Sequence, residues 1–355
     1  YTEKPDMGIF MREWISLYES HSGERGIFNR EAVKKLMPER RDKDHEFGCN
    51  PCSEICLRSA ETCNLSEVVL RPSDTVDDVS RKIGLATILG TIQSALTDFR
   101  YVRPIWKKNA EEERLLGVSF TGVFDCPVVL NATPDQLNAW KGSAIYMNNV
   151  WAKKLDINPS AAITCIKPSG TVSQLTGVAG SGLHPAYAKY YIRRIRQDKK
   201  DPLNQALMDA GIQYEDDPYN KEAIVFSFPM KAPAKSRTRH EFTAIQHLEI
   251  WKKFALHWCE HKPSVTISVK EKEWMEVGAW VKDNFDDVSG ISFLPYSDHS
   301  YKQAPYQEIT YNEYRKWLKK TTDVVDWSKI TEYETKDMTE NTKELACSAG
   351  TCEII

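Results

Sequence analysis

The sequence predicts an α/β fold, and two observations carry that prediction. Short runs rich in β-branched and aromatic residues alternate with longer segments of helical periodicity, and several of those runs are apolar throughout, as strands buried on both faces are. Strand and helix alternating in this way point to a parallel α/β sheet or barrel.

The elements follow in order. Residues 76–100 place Val76, Val79, Ile83, Ala86, Leu89, Ile92 and Leu96 at three- and four-residue steps, an amphipathic helix with Ser73 or Asp74 as its expected cap. Further helices are expected over 134–155, 202–211, 240–260, 271–287 and 310–320. In the fourth of these six, Ile245, Leu248, Trp251, Phe254, Ala255 and Trp258 share one face. Between the helices lie "GVSFTGVF" (117–124), "AAITCIK" (161–167), "YYIRRIR" (190–196), "AIVFSF" (223–228), "SVTISV" (264–269) and "GISFLPY" (290–296), each read as a strand. After about residue 322 the pattern fades into polar, acidic sequence that reads as a mobile tail.

Composition narrows the function classes. The 355 residues carry 47 basic and 50 acidic side chains interleaved along the chain, a net charge of −3, so neither direct nucleic-acid binding nor a polybasic membrane patch is expected. No run of 18 apolar residues and no signal-peptide pattern occurs, and a cytoplasmic protein is expected. In a reducing compartment nine cysteines point to free, catalytic or metal-bound thiols rather than a disulfide framework. The chain opens on Tyr1, in "YTEKPDMGIFMREWI", as though already inside a structure, and a fragment or one piece of a split gene is expected.

Four cysteines crowd into "FGCNPCSEICLRSAETCNL" (47–65): Cys49, Cys52, Cys56 and Cys63. One reading is a zinc or iron–sulfur site, although the spacing x2, x3, x6 lacks the two separate tight pairs of a zinc ribbon. Another is a thioredoxin-like Cys-x-x-Cys at Cys49 and Cys52, against which stand Pro51, Glu54 and the lack of a preceding apolar strand. A third is packing, the reading preferred for Cys49 and Cys56 and, more firmly, for Cys126, Cys165 and Cys259. The last is radical redox chemistry: Asn50, Cys52 and Glu54 at i, i+2 and i+4 would face one ligand from an extended or looped segment, with a second thiol at Cys63 opening the strand-like "CNLSEVVL". A separate stretch, "CIKPSGTVSQL", runs from an apolar strand into small residues able to open a helix and bind an anion, a pattern that ordinary turns share. Arg196, Lys199 and Lys200 read as solvated, and His184 as a structural histidine at a turn.

"NPCSEI" followed at that spacing by "CNLSEVV" resembles the catalytic finger loop and following strand of ribonucleotide reductases, especially the adenosylcobalamin-dependent class. "SGERGIFNREA" (22–32), "KPSGTVS" (167–173), "GSGLHPAYAKYYIRRIR" (180–196) and the terminal Cys347-x4-Cys352 are similar to that class in the same order. A glycyl-radical segment and a terminal tyrosine pair, marks of the other classes, are not found; the last tyrosine is Tyr333.

The resemblance implies the second half of a ten-stranded α/β barrel over 1–321, a finger loop at about 47–60 and a redox tail over 322–355. It implies that Cys52 becomes the thiyl radical abstracting the 3′ hydrogen of a ribonucleoside triphosphate or diphosphate, generated with adenosylcobalamin. Glu54 is then the base on the 3′ hydroxyl, Asn50 anchors the sugar hydroxyls, and Cys63 is half of the reducing dithiol. Pro168, Ser169, Gly170, Thr171 and Ser173 form the substrate-phosphate loop. Cys347 and Cys352 shuttle electrons from a thioredoxin-like reductant. The family pattern places the partner of Cys63 well before the finger loop, yet no cysteine precedes Cys49, so the missing N-terminal barrel half is an expected partner, possibly a separate polypeptide.

Overall fold

A parallel array organises the larger part of the molecule, which is known from a computed structural model describing residues 1–21, 23, 25–296, 303–321 and 325–334. Asn64–Val69 runs parallel to Leu116–Thr121, with Asn64 opposite Leu116 and Val69 opposite Thr121. The amides of Leu116 and Val118 donate onward to the carbonyls of Ala162 and Ile163, and a parallel bridge joins Val118 to Thr164. Ile166 bridges in parallel to Pro263, and Thr266–Val269 pairs in parallel with Gly290–Pro295. Five segments therefore follow one another in register. The short strand Gly26–Phe28 adds antiparallel to the last, Ile27 opposite Ile291.

Burial explains the composition of these strands. All six residues of Leu116–Thr121 are buried, as expected for a central parallel strand covered on both faces. The expected strand at 161–167 is present only as bridges, because its polar backbone groups are shared with side chains and a loop. Ile163 N–H donates to Glu260 Oε2, and the Thr164 carbonyl accepts from the amides of both Glu260 and His261.

Helices flank the array. Val76–Ser94 is shorter than the expected 76–100 and is capped by Thr75, which exchanges hydrogen bonds with Asp78 in a capping box. The expected caps lie one and two residues too early: Asp74 instead accepts from the Arg71 amide and pairs with Lys82. Pro134–Leu155 matches its expected span, Thr133 capping it and Pro134 occupying the first turn. Ala244–His257 and Trp274–Asp283 begin four and three residues inside the expected limits. The core they enclose is aromatic at its centre, where Phe120 stacks on Trp258 at 4.2 Å between ring centroids.

Residues 187–232, with the described residues from 303 onward, form a second compact unit. Its sheet is antiparallel, ordered Tyr306–Glu308, Tyr190–Asp198, Ala223–Lys231, Tyr214–Asp216. The runs at 190–196 and 223–228, expected to join a parallel sheet, instead pair with each other from Tyr190 opposite Lys231 to Asp198 opposite Ala223. The mixture of apolar residues and arginines in Tyr190–Asp198 suits a strand covered on one face only. Arg196, expected to be solvated, is largely covered and pairs with Asp217 at 2.8 Å, while Lys199 pairs with Asp216.

Gly182 tests the packing beside the array. Its φ is +54°, and a Cβ there would stand 2.6 Å from the Lys167 carbonyl oxygen. Gly182→Ala should destabilise the fold by about 1–3 kcal/mol in urea denaturation. Gly177→Ala, at φ +69° but with nothing within 4 Å of the added carbon, should cost less.

Candidate active site

The segment "NPCSEI" forms the tip of a hairpin whose strands are only two residues each, Gly48–Cys49 and Cys56–Leu57, with Cys49 opposite Cys56. Asn50 closes the tip from inside: its backbone carbonyl accepts from Ser53 N–H at 2.8 Å and its Oδ1 accepts from Ile55 N–H at 3.0 Å. Ser53 takes a left-handed conformation, φ +66°, which breaks the simple alternation of an extended strand between Cys52 and Glu54. Cys52 is half-buried, whereas Glu54 is fully buried.

So short a hairpin has little stability of its own, and the surrounding protein fastens it. Arg41, itself buried, donates through Nη1 to the Cys56 carbonyl at 2.9 Å. Its remaining nitrogens engage Glu113 at 2.8 Å and Glu61 at 3.1 Å. Burial lifts the Glu61 carboxyl to about 8, and the adjoining Glu113 reinforces the shift. His261 accepts the Cys56 N–H at Nδ1 and donates from Nε2 to the Leu116 carbonyl, which tethers hairpin to central strand through a neutral imidazole. Burial, with Arg41 nearby, holds that ring down at about 3. Lys262 is 1% exposed; its amide donates to the Glu54 carbonyl, and its Nζ donates to Ser53 Oγ at 2.6 Å.

Beneath the tip lies a charged cluster. Lys167 Nζ donates to Glu54 Oε1 at 3.2 Å, whereas Glu54 Oε2 is buried with no hydrogen-bond partner among the described residues. Glu67, on the Asn64–Val69 strand, accepts a short hydrogen bond from Ser169 Oγ, and burial lifts its carboxyl to about 7. Cys63 immediately precedes that strand; desolvation pushes its thiol up, and the Glu54 carboxylate adds to the effect. The buried Cys165 is pushed up in the same way, again with Glu54 and then Cys63 contributing.

The stretch singled out for anion binding leads directly out of this cluster. Pro168 and Ser169 are buried, and Gly170–Thr176 is helical. Ser169 does not cap the helix with its side chain, since its hydroxyl is turned to Glu67. Ser173 is buried, its amide bonded to the Ser169 carbonyl and its hydroxyl to the Gly170 carbonyl. Gly170 faces open space, and Thr171 is exposed.

The remaining cysteines separate. Cys56 packs with Val33, Met37 and Phe47, and Cys126, Cys165 and Cys259 are buried. Cys49 is exposed, contrary to the packing expected of it, because it lines a cavity of about 380 Å³ at the base of the hairpin with Phe47, Leu57, Arg58 and Trp106. Among the described residues no group of three or more His, Cys, Asp or Glu side chains is placed to hold a metal ion, and Cys49 and Cys52 lie on a hairpin rather than at a helix start. Cys347 and Cys352 lie outside the described residues. His184 is structural: its Nδ1 lies 2.9 Å from the Ser181 carbonyl and its Nε2 accepts from the Thr266 amide. Sequence reasoning missed Lys167, Glu67, His261 and Lys262. Two of them had a signal: Lys167 opens "KPSGTVS" and Glu67 lies within "CNLSEVV".

No family model matches the chain. It is similar to adenosylcobalamin-dependent ribonucleoside-triphosphate reductases of Lactobacillus acidophilus, at 28% identity, and Lactobacillus helveticus, at 29%, in each case over 94% of this chain and 49% of the relative. A probable enzyme of the same name from Dictyostelium discoideum is 29% identical over 94% of this chain and 44% of its own length. The chain thus spans about half the length of the curated relatives it matches. Among solved structures, a B12-dependent class II ribonucleotide reductase superposes with a TM-score of 0.75 at 23% identity, covering 93% of this chain and 50% of that one. The class Id ribonucleotide reductase alpha subunit of Actinobacillus ureae gives 0.53 at 14% identity, covering 81% and 61%. The resemblance drawn from the cysteine motifs therefore extends along nearly the whole sequence, and the α/β fold is similar to that of about half of the solved class II chain.

The neutral histidines make stability depend on pH. Burial depresses His261 to about 3 and His247 to about 4, below the value near 6.5 of an unfolded chain. The unfolded state therefore binds protons first, so their contribution is present above pH 6.5 and is lost as pH falls toward 3–4. Urea midpoints between pH 4 and 8 should fall on the acid side, and His261→Gln, where it folds, should flatten that slope.

Proposed function

We propose that this chain is the catalytic half of an adenosylcobalamin-dependent ribonucleotide reductase, acting on ribonucleoside triphosphates or diphosphates in the cytoplasm. One observation carries the reading: the half-buried thiol of Cys52 lies on an anchored hairpin tip two residues from a fully buried carboxylate, Glu54, that retains an unpartnered oxygen. A buried carboxylate oxygen without a donor is costly to maintain and suits a ligand hydroxyl. No helix among the described residues is long and apolar enough to cross a membrane.

In this reading the five parallel segments are strands of the C-terminal half of a ten-stranded barrel, the hairpin is its finger loop, and 322–355 is the redox tail. The residues suit the cofactor at one point, the partly accessible thiol of Cys52. Bound adenosylcobalamin supplies the radical that Cys52 carries. The Cys52 thiyl takes the 3′ hydrogen atom of the sugar. Glu54 accepts the proton of the 3′ hydroxyl, and Asn50, whose Oδ1 is occupied within the turn, offers its Nδ2 end to the sugar hydroxyls. Cys63 stays a protonated thiol because burial raises it, which suits a donor to the departing 2′ hydroxyl. As the hydroxyl leaves as water, Cys63 and a second thiol give up two electrons and form a disulfide, and Cys52 returns its hydrogen to C3′. Cys347 and Cys352 re-reduce that disulfide at the expense of a thioredoxin-like reductant. Pro168, Ser169, Gly170, Thr171 and Ser173 receive the substrate phosphates at the start of the Gly170–Thr176 helix, an end that favours anions.

Because the chain spans about half of its relatives, a companion N-terminal half is part of the proposal. The chain supplied with that half, adenosylcobalamin and a ribonucleoside triphosphate under anaerobic conditions should give a cobalt(II)–thiyl electron paramagnetic resonance signal. Cys52→Ser should abolish it and Cys56→Ser should retain it; loss in both folded variants would refute the radical assignment. The chain alone should not form deoxynucleotides at a normal rate with cofactor and dithiol.

A further inference from the structure

Resting on the reductase reading, we infer that Lys167 is a positioning residue for the base: it holds Glu54 by Oε1 so that Oε2 is kept for the substrate hydroxyl. Glu54 has no exposure to water, so its charge depends on what the protein places beside it. The ion pair given to it is Lys167, through a single hydrogen bond of 3.2 Å to one oxygen. The second oxygen is buried and lacks a partner among the described residues. A bidentate partner would occupy both oxygens and leave no acceptor, whereas a lysine, a point charge, can hold one and spare the other.

The lysine is itself held. Its amide donates to Ser119 Oγ at 2.9 Å, its carbonyl accepts from the Ser169 amide at 3.0 Å, and that carbonyl fills the space a Cβ on Gly182 would need. The side chain is 30% exposed, so the ammonium keeps part of its hydration while it reaches the buried carboxylate. Burial alone would lower the Lys167 pKa, but Glu54, with Cys52 and Cys165 adding to it, raises the value, so the lysine stays charged. The other titratable groups acting on the pair are Cys52, Cys63, Glu67, Cys165 and Lys262. Glu67 is engaged by Ser169. The proposal thus links the strand end that leads into the anion-binding stretch with the carboxylate behind the hairpin tip.

Two measurements test it. In the reductase assembled from this chain and its companion half, Lys167→Met should lower kcat by about 10- to 100-fold with KM little changed. It should also move the acid limb of the kcat profile to higher pH, and Lys167→Arg should restore most of the rate. A raised KM at unchanged kcat would overturn the proposal in favour of a phosphate contact. Independently of turnover, the chain labelled at the lysine ε-carbons should show the Lys167 resonance titrating at lower pH in Glu54→Gln than in the unaltered chain. An unmoved titration in folded Glu54→Gln would overturn the pairing, and this variant keeps the lysine in place if Lys167→Met fails to fold. If the assembled enzyme made no deoxynucleotide at all, the reductase reading would fall, while the lysine titration would still decide whether Lys167 holds Glu54.

Discussion

Everything proposed for this site depends on how a hairpin with two-residue strands is held still. Its own ladder cannot do so, since a pair of such short strands is marginal even with an ideal turn. Arg41 and His261 grip the Cys56 backbone from two directions, and Lys262 grips the tip through Ser53 and the Glu54 carbonyl. Releasing the hairpin would leave Arg41 Nη1, His261 Nδ1 and the Lys262 ammonium without these partners in a dry interior. The hairpin is thereby fixed by the penalty for undoing it more than by attraction.

The same dry interior sets the chemistry beneath the tip. Desolvation raises the thiols of Cys63 and Cys165 and the carboxyl of Glu67, so the thiols hold their protons more firmly than in water and Glu67 gives up its own only near neutral pH. Against that background Lys167 is the cation bonded to Glu54. A site that keeps thiols protonated beside a carboxylate paired through one oxygen is suited to moving hydrogen atoms and protons, and poorly suited to thiolate nucleophiles or to metal ligation, both of which need ionised sulfur.

The sequence made much of this legible, and its failures have identifiable causes. Helical periodicity located Pro134–Leu155 and Val76–Ser94, but misplaced the cap of the latter because Ser73, Asp74 and Thr75 are all competent and only the hydrogen bonds to Asp78 select Thr75. The run at 161–167 was recognised as extended, yet its loss of ladder bonds to Glu260 and His261 involves residues about 97 positions away. Pairing direction was misread for 190–196 and 223–228, since an apolar run does not reveal which neighbour it meets. Cys49 and Cys56 look equivalent in sequence and differ only because a cavity borders one and a small apolar cluster covers the other.

By itself the sequence determined the α/β alternation and the chemical content of "NPCSEI", "CNLSEVV" and "KPSGTVS", because side-chain chemistry and local periodicity are carried by adjacent residues. Only the tertiary structure decided which groups surround Glu54. Lys167 lies 113 positions away along the chain, and the Lys262 that holds Ser53 lies 209 positions from it. No local pattern encodes contacts of that separation. They arise where parallel strands bring distant segments side by side, and burial then fixes the protonation of what they enclose.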